Sequence, residues 1–163
     1  MKLIHGVLLV ALGLTCFDAA AQKRTKENIW AMEYNNTLNN GLSALNAGKH
    51  EKAFELLSES ANWGNKTAQF YLAEMYFNGL HVEQDYQVGW LWLNVAMEQK
   101  TAKWRTFYDR VEKALPTEFI QAMEPLVAEH IATYGADAKD LKCRSQSATG
   151  SNIREVICEK RLY

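Results

Sequence analysis

The sequence predicts an all-α fold made of repeated helix pairs. Three observations indicate it: two kinds of apolar stripe alternate along the chain, each stripe recurs 36 positions later (Ala53 and Gly89, for example), and glycines or capping residues separate the stripes. With 163 residues, 48% hydrophobic and 23% charged, the chain has the size and composition of one soluble domain. This excludes a disordered tail, a collagen-like fibre and a multi-domain enzyme.

Residues 1–21 have the three parts of an export signal. Lys2 is the only charge before an apolar run over 6–14, which is too short to span a bilayer, and small residues follow at 19–21. We expect cleavage after Ala21 and export to the periplasm or the medium.

We expect a linker over 22–34 and helices after it. A first helix over about 35–47 carries leucines at helical spacing and ends before Gly48. Together with this first helix, the later helices are expected to form about three pairs, over 35–63, 66–99 and 103–134. Their stripes are Ala53, Leu56, Leu57, Ser60 and Ala61, repeated as Gly89, Trp92, Leu93, Ala96 and Met97, and Ala68, Tyr71, Leu72 and Met75, repeated as Trp104, Phe107, Tyr108 and Val111. Eight of these nine positions match as apolar, Ser60 being the exception.

Turn residues agree with these stripes. Gly64 and Gly79 suit left-handed C-caps, and the expected N-caps are Asn65, Asp85, Thr101 and Thr117. Pro125 is expected to kink or divide the last helix, because its ring removes an N–H group and crowds the preceding turn. No segment before the C-terminal cysteines shows a convincing strand alternation.

The cysteines predict one structural disulfide. Removal of the signal also removes Cys16 and leaves Cys143 and Cys158 in a protein bound for an oxidising space. A redox-active pair is the alternative, but such pairs usually stand two residues apart at the start of a helix. A lipoprotein anchor through Cys16 is a further alternative, disfavoured by Thr15 where a small residue is expected.

No pattern in the sequence indicates catalysis. The chain lacks a zinc motif and a nucleophile elbow, and its histidines after the signal stand apart at His50, His81 and His130. We therefore predict no metal and no cofactor. A formal net charge of −1 gives no general basic field, so we predict no nucleic-acid partner.

The central part of the chain resembles a Sel1-like repeat, a relative of the tetratricopeptide repeat. The residues that carry the resemblance are Ala53-Phe54, Ser60 to Gly64, Ala68, Leu72 to Tyr76, Gly79, Val82, Asp85, Trp92 and Ala96. The chain departs from the pattern at Ser60, Ala73, His81 and Lys100. The resemblance covers about 35–134 and implies a short right-handed α-solenoid that acts as an adaptor and presents a concave face to another protein.

The tail over 135–163 has a different composition. It resembles a Cys-Arg…Thr-Gly-Ser-x-Ile…Val-Cys segment that ends various small exported bacterial proteins. Arg144 and Arg154 could make this tail a basic docking loop for an acidic partner, or the tail could cap the last helix of the solenoid.

Two aromatic residues are candidates for contact with a partner. Trp90 points about 200° away from Trp92 on the same helix, so it faces either a groove or a neighbouring pair. Tyr86 is expected in the long loop before that helix. The other repeat aromatics are expected in the core.

These observations predict an exported, non-catalytic interaction module. Its partner would be another protein or peptide, and the mature chain would have no membrane span. The alternative is an envelope enzyme or redox factor that uses the C-terminal cysteine pair.

Overall fold

The structure, a computed structural model, describes residues 31–147, 150 and 152–161. The predicted signal over 1–21 lies outside the described residues. The described elements are α1 (Ala31–Asn46), α2 (His50–Asn62), α3 (Lys66–Asn78), α4 (Tyr86–Ala96), α5 (Ala102–Ala114), α6 (Thr117–Tyr134), β1 (Leu141–Ser147) and β2 (Arg154–Lys160). Helix α1 includes residues 31–34, which the sequence assigned to a linker.

Most of the predicted helix ends are confirmed by their hydrogen bonds. The side chain of Asn65 accepts from the Ala68 N–H at 3.1 Å, and those of Asp85 and Thr101 cap α4 and α5 in the same way. Gly79 has the left-handed φ of 63° expected of a C-cap.

An N-cap at Thr117 and a division of α6 at Pro125 are both wrong. Thr117 is the first helical residue and caps nothing, because Pro116 occupies the N-cap position and has no side-chain group to accept a hydrogen bond. The helix also continues through Pro125, which lies on an exposed side of α6, and is not divided there.

The helices pack as a short α-solenoid with α3 at its centre. Helices α1 and α2 pack as one pair, α3 and α4 as a second, and α2 against α3 joins the two pairs. Helix α3 is covered on most sides, so its buried residues surround the helix instead of following one stripe: Lys66, Ala68, Gln69, Phe70, Leu72, Ala73, Met75 and Phe77.

Helices α5 and α6, which the sequence predicts as a third pair, each pack on the second pair and not mainly on each other. Helix α6 packs on α4, whereas α5 is joined to α3 and α4 mainly through aromatic rings. The Phe70 ring stacks on Trp104 with 4.8 Å between centroids and meets Phe107 at 5.2 Å. These wide side chains form the contact between α3 and α5.

A buried polar network connects the ends of several helices. Lys66 Nζ lies 2.7 Å from Glu98 Oε2 and donates to Gln69 Oε1 at 3.0 Å. Gln69 Nε2 donates to the carbonyl oxygen of Tyr134 at 3.0 Å, and the Ala136 N–H donates to Glu98 Oε2 at 2.8 Å. Burial lowers the pKa of Lys66, an effect that the neighbouring Glu98 carboxylate opposes. The network joins α3, the turn after α4 and the end of α6 to the start of the tail.

The tail forms an antiparallel β-hairpin, which adds a small sheet to the helical fold. Strands β1 and β2 pair with Cys143 opposite Cys158, and the predicted disulfide between them is confirmed. Their Cα atoms are 3.9 Å apart.

The hairpin is bound to the turn between α4 and α5. Lys100 and Val156 exchange two backbone hydrogen bonds of 2.9 and 3.1 Å. The Cys158 N–H donates to Gln99 Oε1 at 3.2 Å, and Glu155 Oε1 accepts from the Ala102 N–H at 3.1 Å, at the start of α5. The second strand is therefore fixed to the helical body along its length.

Candidate functional site

The less buried side of α3 lies beside α5 and forms the candidate site. Tyr71 and Glu74 are half-buried on this side of α3, and Phe107 is half-buried on α5. Lys103 Nζ lies 5.9 Å from the centroid of the Tyr71 ring, and Arg110 Cζ lies 5.4 Å from that of Phe107. We call these five residues the α3–α5 face.

The α3–α5 face combines one carboxylate with two cations. Burial raises the pKa of Glu74, and the positive charges of Lys103 and Arg110 oppose that rise. Among the residues that the structure describes, the ion pairs closer than 4.0 Å involve other side chains. The charged groups of the face are therefore available to a partner.

Tyr86 extends the face at one edge. Its side chain is 50% exposed, and its ring lies 6.3 Å from Phe77, which in turn lies 6.2 Å from Phe107. Tyr86 is the first residue of α4 and does not belong to the preceding loop. The exposed ring and the α3–α5 face are thus connected through aromatic contacts.

Trp90, in contrast, is a core residue. It is 2% exposed, and its ring packs on Tyr108 of α5 with 5.1 Å between centroids. Trp92 points to the other side of α4, where its ring lies 4.5 Å from His130 of α6. Because α4 is covered by α5 on one side and α6 on the other, the 200° separation of the two tryptophans buries both. Of the two directions expected for Trp90, the structure therefore has the neighbouring helix and not an open groove.

The two candidate arginines lie on the hairpin and not on the α3–α5 face. Arg144 Nη2 lies 2.9 Å from Glu159 Oε1, and both side chains are 56% exposed. Arg154 is exposed at the start of β2, where its carbonyl oxygen is 3.5 Å from Arg105 Nη2.

Histidine and acidic side chains are the groups of the described residues most suited to catalysis or metal binding. Among the described residues, His130 Nε2 has no hydrogen-bond partner; its buried ring packs against Trp92 and Tyr134, and burial lowers its pKa. In the described part of the chain, no three His, Cys, Asp or Glu side chains are placed to share a metal ion. The α3–α5 face has the chemistry to bind a partner through charged groups and aromatic rings.

The stacked helix pairs and the exposed, mixed polar and aromatic face define a helical-repeat protein. The structure is similar to the crystal structure of a protective antigen present in uropathogenic Escherichia coli strains, which displays an SLR fold. The two share 30% sequence identity with a TM-score of 0.56, and the match covers 74% of this chain. The chain thus has the Sel1-like repeat fold, as its sequence predicts.

This chain spans 28% of the length of that antigen. No protein-family model and no curated protein matches the chain. None of the helices in the described part has the length and apolar character needed to cross a membrane.

Proposed function

We propose that the protein is an exported, non-catalytic interaction module that binds another protein through the α3–α5 face. The observation that carries this proposal is that Lys103 lies over the half-buried ring of Tyr71 and Arg110 over that of Phe107, near enough to Glu74 for both cations to act on its pKa. Rings and cations together are typical of residues that dominate binding energy at protein interfaces. The repeat fold supports the same function, because stacked helix pairs provide extended binding surfaces.

Two features support export to an oxidising compartment. The first is the signal-like sequence over 1–21, and the second is the disulfide between Cys143 and Cys158. The disulfide joins strands of a hairpin that is bound to the body, which supports a structural role and gives no support to the redox alternative.

Site-specific crosslinking in cells that produce the protein at native level tests this function. A photo-reactive residue replaces Thr106, an exposed residue of α5 next to Phe107, and a second version carries it at Asn39, an exposed residue of α1. We expect one crosslinked partner from position 106 that does not appear from position 39. The protein that remains uncrosslinked in the same cells should have the mass of the mature chain without residues 1–21.

Charge reversal provides the matched control. The double variant Lys103→Glu/Arg110→Glu should abolish the crosslink, whereas Lys49→Glu/Lys52→Glu, which reverses two exposed cations of the first pair, should leave it unchanged. Identical products from both positions, or a crosslink that survives reversal of Lys103 and Arg110, would contradict the proposal.

A further inference from the structure

The hydrogen bonds of Val156 fix which backbone groups of the hairpin point outward. Both its N–H and its C=O bond to Lys100, so they point away from β1. In an antiparallel pair this orientation alternates from one residue to the next. The backbone N–H and C=O of Cys158, two residues after Val156, therefore also point away from β1. Two observations agree: the Cys158 N–H donates to Gln99, and the 3.9 Å between the Cα atoms of the cysteines is nearer to the about 4.5 Å of a non-hydrogen-bonded pair than to the about 5.5 Å of a hydrogen-bonded one.

The same alternation applies to β1. Arg144, opposite Ile157, directs its backbone groups toward β2, whereas Cys143 and Ser145 direct theirs away from the hairpin. In the part of the chain that the structure describes, no protein group bonds to the backbone N–H or C=O of Cys143 or Ser145. The two long edges of the hairpin therefore differ: the helical body covers the edge of β2, whereas no described residue bonds to the edge of β1 at Cys143 and Ser145.

The open edge of β1 is held in a strand conformation before any partner arrives. The disulfide closes the hairpin, and β2 is fixed to Lys100, Gln99 and Ala102. Lys160 Nζ adds hydrogen bonds to the carbonyl oxygens of Trp63 and Lys139, at 2.9 and 3.1 Å. A preformed edge loses little conformational entropy when a strand is added to it.

The charge of β1 selects the kind of strand that fits. The strand contains Lys142 and Arg144 and no acidic residue. Pairing between two copies of β1 would bring these cations together, which is unfavourable and is a common protection of edge strands. The contact of Arg144 with Glu159 is exposed on both sides, so it neutralises the edge only weakly.

We infer that the outer edge of β1 binds an extended acidic segment of a partner protein by strand addition. The segment bonds to the outward N–H and C=O groups of Cys143 and Ser145, and its carboxylates lie near Lys142 and Arg144. This surface is separate from the α3–α5 face and does not depend on it.

A peptide of alternating valine and glutamate, eight residues long, serves as the probe, and the same peptide with lysine for glutamate is the control. Binding to the oxidised, folded protein is measured by NMR titration and amide hydrogen exchange. We expect the acidic peptide to bind, the basic peptide not to bind, and the amides of Cys143 and Ser145 to gain protection from exchange.

A proline at position 145 tests the edge directly. Because the Ser145 N–H points outward, Ser145→Pro removes a bond to the added strand and none within the hairpin. It should weaken binding of the acidic peptide on the order of tenfold or more, whereas Ser145→Ala, which keeps the N–H, should bind as the wild type does. Should the proline variant fail to fold, amide protection in the wild type decides the question.

The inference is overturned if the acidic peptide does not bind, or if it binds without protecting the amides of Cys143 and Ser145. It is also overturned if Lys103→Glu/Arg110→Glu abolishes binding while Ser145→Pro does not, because the peptide would then occupy the α3–α5 face. That last outcome would leave the proposed function intact.

Discussion

The helical body and the C-terminal hairpin are held together by different forces. In the body, side chains such as Phe70, Leu57 and Leu93 are fully buried in one apolar cluster. In β1, Leu141 is the only described residue that is buried, and the hairpin is attached by directional hydrogen bonds and closed by one disulfide. Burial of apolar area stabilises the body, whereas covalent closure and a few polar contacts stabilise the tail.

The largest expected effect comes from a ring in the centre of the body. Phe70→Ala should lower the free energy of unfolding by about 3–5 kcal/mol, because the substitution leaves a cavity between Trp104 and Phe107. Chemical denaturation monitored by far-ultraviolet circular dichroism measures this change.

Two variants serve as controls for this prediction. Phe70→Leu keeps most of the volume and should cost less than the alanine variant. Tyr86→Ala, at a half-exposed ring, should cost about 1 kcal/mol or less. An alanine variant of Phe70 as stable as that of Tyr86 would show that these rings do not hold α5 on α3.

A second prediction concerns the polar network where the body meets the tail. Lys66→Met leaves the Glu98 carboxylate without its cation, 27% exposed and facing the start of the tail, and should destabilise the protein by about 3 kcal/mol. The double variant Lys66→Met/Glu98→Gln should cost less than the sum of the single variants, because it leaves no unpaired charge.

A double-mutant cycle by urea denaturation measures this coupling. Glu55→Gln, which breaks the exposed pair with Lys52, is the matched control and should change stability by less than about 1 kcal/mol. Strictly additive effects of Lys66→Met and Glu98→Gln would mean that the ion pair does not couple the helices.

The sequence predicts the body well because its interior is apolar and periodic. Helical spacing and caps such as Asn65 and Gly79 depend on nearby residues and can be inferred from the chain alone. The direction of Trp90 from α4 follows from helical geometry. Whether another helix covers it depends on how α5 packs, which the sequence does not show.

The candidate site and the tail are harder to predict for the same reason. Tyr71 and Phe107 follow the packing stripes, yet they are only half-buried, and Lys103 and Arg110 stand out only when α5 lies next to α3. The cysteines indicate a disulfide, but the open edge of β1 depends on the contact of Val156 with Lys100, which are far apart in sequence.

The smallest effect on the whole molecule is expected from the disulfide. A closed loop of this length, with the cysteines 15 residues apart, contributes up to about 3 kcal/mol to the closed form. Since the hairpin has little buried apolar area, Cys143→Ser/Cys158→Ser should increase the fraction of molecules in which the hairpin is open. The body should stay folded. Amide exchange at Arg144 and Ile157, which pair across the strands, should accelerate on the order of a hundredfold.

The amides of α3 provide the internal reference for this measurement. The free energy of opening measured from exchange of these amides should change by less than about 1 kcal/mol in the cysteine variant. The reason is that Phe70 and Met75 keep all their contacts in the body. Equal loss of protection in α3 and in the hairpin would mean that the two regions unfold as one unit. In that case the hydrogen bonds of Lys100 and Gln99 to β2, and not the disulfide alone, would transmit the stability of the tail to the helices.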